Sequence, residues 1–230
     1  MTRSKIVPLK ITCTLLDGRL NSSDGLVFLD AILYHAWFKM HAPEVYEGTL
    51  DKSRIKYIGL PLRQLPDNRW AASVGFYKQY DERIEYWTKK PNIHGIDAHE
   101  RLDLVDKRGK IDISAGEHRA YRMPQLIRTV GPIEFYCMGN PRKIAEMLNL
   151  MTSIGKKPAM GWGAVNGWTI EPIEHDYTTE GPYGLMRPMP VDEYPAGAYL
   201  VRDCAVKPPY WKPCNQETCV IPEVQIYDYR

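Results

Sequence analysis

Apolar and polar positions change period along the chain, and the changes mark out the elements. Residues 9–16, LKITCTLL, alternate and carry β-branched side chains, which predicts a strand. The polar cluster DGRLNSSDG (17–25) reads as a turn, with Ser23 or Asp24 placed to cap a following helix. That helix spans LVFLDAILYHAWFKM (26–40) and ends near Pro43. At 100° per residue, Leu29, Leu33, Ala36, Trp37 and Met40 form one apolar face. Val27, Phe28, Ala31 and Phe38 lie on the other side with His35, so the helix is expected to be covered on both sides, by an insertion or a partner subunit.

Residues 54–59, RIKYIG, read as a strand, and the aromatic run within 69–90 reads as strands. Segment 91–118 is polar and turn-rich, the pattern of a long insertion. Residues 119–139 predict two strands, the second opened by Gly131 and Pro132. Asn140 and Pro141 form a helix start, a side-chain cap followed by a residue with no N–H to satisfy. The helix is expected over 141–154, with Ile144, Met147, Leu148, Met151 and Ile154 on one arc and Gly155 as its stop. A glycine-rich loop and a strand starting within WGAVNGWTIEP follow. This order predicts an α+β, ferredoxin-like (RRM-like) domain over 1–174, with an insertion at about 60–118. Residues 175–230, rich in Pro and Tyr with few periodic segments, read as a loop-rich extension packing on it.

The chain has 230 residues, enough for one large domain or two small ones with a real core. Net charge is +2, so no global field announces nucleic acid and any basic site is local. The N-terminus lacks the apolar run of a signal peptide, and no stretch is apolar enough to span a bilayer. The five scattered cysteines suit a reducing compartment, so a cytoplasmic protein is expected. Fifteen tyrosines and six tryptophans suggest wet interfaces, since each carries a polar handle on an apolar body.

The stretch IGKKPAMGWGAVNGW (154–168) is the strongest candidate for chemistry. It is not a Walker A loop, because Gly155-Lys156 is followed by Lys157 and not by Ser or Thr. It is not a Rossmann fingerprint, because Gly161, Gly163 and Gly167 have the wrong spacing and the helix precedes the strand. What remains is a loop whose glycines let phosphates approach backbone N–H groups, with two lysines for charge. Trp162 and Trp168 offer faces for stacking bases. The plain alternative is a helix stop and a bulged strand with solvated lysines.

This loop in this setting resembles the glycine-rich loop of the RAMP superfamily of CRISPR-associated proteins. LDGRLNSSDGLVFLDAILYHAW resembles the first strand and helix of such subunits, and LMRPMP and KPPYW resemble parts of the small RAMP subunit of type IV complexes. The resemblance covers most of the chain and is thinnest over 60–118, which would be an inserted thumb. It implies a non-catalytic subunit that binds the five-prime handle of the CRISPR RNA and caps a filament of backbone subunits. It also implies a place next to the large subunit that reads the motif beside target DNA, in a complex with which a helicase works. RNA-binding candidates are Lys156, Lys157, Gly161, Trp162 and Gly163, with Arg119, Arg122 and Arg142. Arg142 opens its helix, where backbone N–H groups favour anions; its plain reading is a solvated arginine. Lys207, Tyr210 and Trp211 read as packing or a subunit interface.

Some RAMP proteins cut the precursor RNA with a general base and acid, so His35 is the alternative catalytic candidate; its plain reading is a packed histidine. His41, His94, His99, His118 and His175 complete the histidines. Cys204, Cys214 and Cys219, with His175, have no tight C-x₂-C pair, so neither zinc nor any other cofactor is expected. Cys13 and Cys137 read as core residues.

Overall fold

A computed structural model describes residues 5–22, 24–45, 58–89, 114, 119–194, 197, 199–210 and 212–226. Positions 54–57 of the strand expected at 54–59, His94, His99, His118, Trp211 and all of 90–118 except Ser114 lie outside them. The chain divides into a larger unit, Met1–Asp81 with Arg128–Arg230, and a smaller one, Glu82–Ile127.

The larger unit is built on an antiparallel sheet. Strand β1 (Val7–Leu15) is central, flanked by β5 (Ile133–Gly139) and β6 (Val165–Pro172). Register pairs Leu9, Ile11 and Cys13 with Cys137, Phe135 and Ile133, so one face of both strands is wholly apolar. Helices α1 (Leu29–His41) and α2 (Pro141–Leu148) pack against each other and share a core with that face. Leu29, Leu33, Ala36, Ile144 and Leu148 are fully buried there. Each of these Leu and Ile side chains contributes roughly 1.5–3 kcal/mol by leaving water.

Three boundaries differ from the sequence reading, each for a backbone reason. Helix α1 starts at Leu29, not 26, and its N-cap Phe28 makes no side-chain cap bond. Asp24 closes a turn instead, accepting from the Leu26 N–H at 3.2 Å. Val27 and Phe28 then run extended against residues 73–75, with Gly75 N–H donating to Val27 O at 2.7 Å. Helix α2 ends at Leu148, six residues before the expected end, because 152–154 pair with 163–165 as a hairpin. Met151 and Ile154 are buried from this turn, mimicking a helical period. Finally, the aromatic run of 69–90 forms a regular strand only from Gln79. Residues 62–76 run beside β5 through isolated bridges at Leu62, Ala72 and Phe76.

The segment 60–118 also divides: Leu60, Leu62 and Ala72 join the main core. β2 (Arg19–Asn21) follows β1 in a separate sheet, and at its start Val130 N–H donates to Gly18 O at 2.8 Å. The extension after 175 is more regular than its composition suggests. β7 (Glu180–Gly181) pairs with β8 (Gly184–Leu185), and β10 (Val201–Ala205) with β11 (Gln216–Val220), which also pairs with β9 (Met189–Pro190). Met186, Val206, Cys219 and Ile221 form a second core with Val74, Phe76 and Tyr136. The architecture is thus α+β, mostly strand, with small antiparallel sheets and, among the described residues, two α-helices.

β3 (Gln79–Lys89) and β4 (Tyr121–Val130), most of whose residues belong to the smaller unit, are hydrogen-bonded neighbours. Trp87 packs on Tyr121 with ring centroids 4.9 Å apart. No helix among the described residues is long and apolar enough to cross a membrane.

Candidate nucleic-acid interface

The glycine-rich stretch is a hairpin tip laid on β2. Lys156 N–H donates to Asn21 O at 2.8 Å and Gly163 N–H to Arg19 O at 2.7 Å, while Ile154 N–H donates to Gly163 O at 2.9 Å. The chain between them reverses through left-handed positions at Gly155, Lys157, Gly161 and Gly163. Two of these glycines answer to steric need: a Cβ would stand 2.6 Å from Asn21 O at Gly155, and 1.8 Å from Ile154 O at Gly163. The backbone of this turn is therefore pressed against neighbouring backbone. Met160 and Gly161 N–H groups donate within the turn, to Lys157 O and Pro158 O. Four N–H groups that a phosphate cradle would use are thus engaged, and charge for an anion comes from the side chains of Lys156 and Lys157, exposed and half-buried respectively.

Trp162 does not serve as a stacking platform. Trp162 is 1 % exposed, a core side chain on which no base can lie. Trp168 is half-buried against the main core beside Phe135, with ring centroids 6.4 Å apart. An aromatic flanked by glycines looks accessible in sequence, yet the glycines let the chain fold tightly over it.

Beside the turn lies a cleft of about 590 Å³ between α1 and the hairpin. Its walls include Asn21, Ser22, Phe28, His35, Lys156 and Tyr210, with an apolar floor from Leu26, Val27, Ile32 and Ile154. The structure thus brings together Lys156 and His35, which the sequence placed in separate arguments. Phe28 and Tyr210 pack at 4.1 Å between ring centroids and form an aromatic wall. Tyr210 is fixed from behind, its hydroxyl donating to Asp30 Oδ1 at 2.6 Å. Asp30 is buried, and burial raises its carboxyl pKa against the pull of Arg187 and the Tyr210 bond. Arg187, also buried, donates to Trp70 O and, at 2.8 Å, to Val206 O, so this network ties the C-terminal extension to α1. Asp24 at the cleft is partnered by Arg202 at 3.4 Å, which offsets its charge. Sequence reasoning missed Phe28, Ser22 and Tyr210 as site residues. No local signal marks them, since the cleft gathers positions from 21 to 210.

The arginine candidates fall on other elements than the turn. Arg142 stands at the start of α2, 89 % exposed, with its Nε 3.2 Å from Glu146 Oε1. Asn140 caps that helix by accepting from the Lys143 N–H at 3.0 Å. Arg119 and Arg122 belong to the smaller unit, where Arg122 lies over the Tyr86 ring, 3.7 Å from its centroid. The sheet face opposite the helices does not suit phosphate. Its Glu134 accepts from Lys10 at 2.7 Å and from Tyr183 at 2.8 Å, so the tyrosine hydroxyl is already committed.

Cys13 and Cys137 are core residues, as their strands suggested. Cys219 is buried, with its Sγ 4.0 Å from Cys204 O, while Cys214 is exposed and His175 packs near Tyr177. Among the described residues, no group of three or more His, Cys, Asp or Glu is placed to hold a metal ion.

No curated protein matches the chain. The family model of the CRISPR type IV associated protein Csf3 matches residues 7–222, a span that takes in both helices, the hairpin turn, the cleft and the C-terminal sheet. The chain therefore belongs to the Csf3 family and is a type IV CRISPR associated protein, a subunit of such a complex.

Proposed function

We propose that this chain is a non-catalytic subunit that binds the CRISPR RNA of a type IV complex. It holds the five-prime handle of the guide through its two-lysine turn and caps the filament of backbone subunits beside the large subunit, close to target DNA. A helicase works with the assembled particle. The order β1, α1, the 62–76 segment, β5, α2, β6 around a β5-β1-β6 sheet fits a ferredoxin-like, RAMP-type plan.

The observation that carries the reading is the turn itself. Lys156 and Lys157 stand side by side on a tip whose backbone is fixed to β2 by hydrogen bonds. With the backbone fixed beforehand, only the two side chains lose freedom on meeting two adjacent phosphates. Each charge-assisted contact contributes roughly 1.5 kcal/mol or more, so reversing both lysines lowers guide affinity about 100-fold. The test is guide-RNA binding to the assembled complex at several salt concentrations. Lys156→Glu with Lys157→Glu is expected to flatten the salt dependence by about 1.4 in log–log slope, from about 0.7 per phosphate on a single strand. An unchanged slope and affinity would reject the assignment. Guide cut by this chain would replace it with a nuclease.

A further inference from the structure

We propose that the cleft between α1 and the hairpin holds one nucleotide of the bound guide, its base turned out of the strand and its phosphate on Lys156. This rests on the reading that the chain binds RNA and goes beyond it, because it assigns a pocket, an occupant and residues that no charge argument requires.

Three features of the cleft select this occupant. Its size, about 590 Å³, lies in the range of pockets that enclose small planar ligands. Its chemistry is divided: an apolar floor and an aromatic wall of Phe28 and Tyr210, with polar edges from Asn21, Ser153 and His35. That division matches a base, which has apolar faces and hydrogen-bonding edges. Unstacked bases of single-stranded RNA are read in just this way, on aromatic side chains and at their edges. The charge is at the rim: Lys156 is exposed and belongs both to the cleft and to the turn. A phosphate there continues the backbone track along Lys157, while Asp24, the one carboxylate among the described residues lining the cleft, is paired with Arg202.

The wall is also held in place. Tyr210 is anchored through Asp30 on α1, and among the described residues Asp30 Oδ2 has no hydrogen-bond partner. The aromatic ring is therefore positioned before any ligand arrives, which favours binding of one defined group.

The test uses the complex assembled with its partner subunits and a guide. The bound RNA is mapped with base-specific probes: dimethyl sulfate for A and C, kethoxal for G, a carbodiimide for U. With the wild-type chain, a single handle base is expected to be shielded between reactive neighbours. Ala31→Phe fills the cleft from α1 without touching the lysines. It is expected to raise the reactivity of that one base at least fivefold and leave the other protections in place. His35→Ala, a milder change that leaves the helix intact, is expected to raise it about twofold to threefold. If both variants give the wild-type pattern, the cleft does not hold a base. If Ala31→Phe breaks assembly while the RNA pattern in the His35→Ala complex is unchanged, the cleft seats a protein segment and the inference fails. If every handle base of the wild-type complex is reactive, the cleft holds no base and the inference fails alone; if the handle backbone is also open to nuclease, the RNA-binding reading fails and the inference falls with it.

Discussion

Replacing Gly163 by alanine tests whether the turn is fixed by steric necessity or only by conformational preference. At Gly163, with φ +70°, a Cβ would lie 1.8 Å from Ile154 O, where ordinary contact begins at 3.4 Å. One backbone or the other must move by about 1.6 Å, the difference of those two distances. Such a shift breaks the Ile154 N–H bond to Gly163 O and the Gly163 N–H bond to Arg19 O, 2.9 and 2.7 Å long. Each is worth roughly 1 kcal/mol net. A left-handed alanine adds about 1–2 kcal/mol, offset in part by its lower entropy in the unfolded chain. The sum is about 3 kcal/mol. Gly161 provides the comparison: its φ is +78°, but a Cβ there meets nothing within 4 Å. Gly161→Ala is therefore expected to cost only about 1 kcal/mol. Urea unfolding of the purified chain measures both. The corresponding melting temperatures fall by roughly 10 °C and roughly 3 °C for a protein of this size. Equal losses in the two variants would refute the steric account of the turn.

Three further outcomes follow from the same structure. Burial alone would raise the pKa of Glu134, but bonds from Lys10, Tyr183 and Tyr136 outweigh it and hold the carboxyl below its ordinary 4.5. An acid depressed in the folded state stabilises above its unfolded pKa, and the contribution is lost as pH falls through the folded value. Glu134→Gln is thus expected to lower stability at neutral pH and to flatten the acid limb below 4.5, read from unfolding free energy against pH. Asn140→Ala removes the α2 cap and should cost about 1 kcal/mol in urea unfolding. Arg142→Ala, on an exposed ion pair, should change it by under about 0.5 kcal/mol.

Strands β1, β4 and β5 and the capped start of α2 were legible because local chemistry decides them. Alternation set β1, and the Asn140–Pro141 pair set the helix start. The start of α1 and the end of α2 were not legible, because distant backbone decides them. Residues 73–75 draw Val27 and Phe28 into extended pairing, and the hairpin at 152–165 stops α2 early. The C-terminal sheet was missed for a related reason: β10 and β11 are short and half exposed, so neither has a strong period alone. The site divides in the same manner. The lysine turn is contiguous and could be read directly. Trp162 misled, since its burial depends on the turn that its neighbouring glycines allow. The cleft joins Ser22, His35, Lys156 and Tyr210, and only folding brings those together.

The most direct test of the central claim is to assemble the complex with its partner subunits and a precursor guide RNA, trim it with nuclease, and sequence both ends of the retained RNA. With the wild-type chain the account predicts one uniform guide whose five-prime handle survives. With Lys156→Glu and Lys157→Glu the handle should be trimmed while the remainder stays protected. A handle that survives equally well with that variant, or with this chain left out, would contradict the claim.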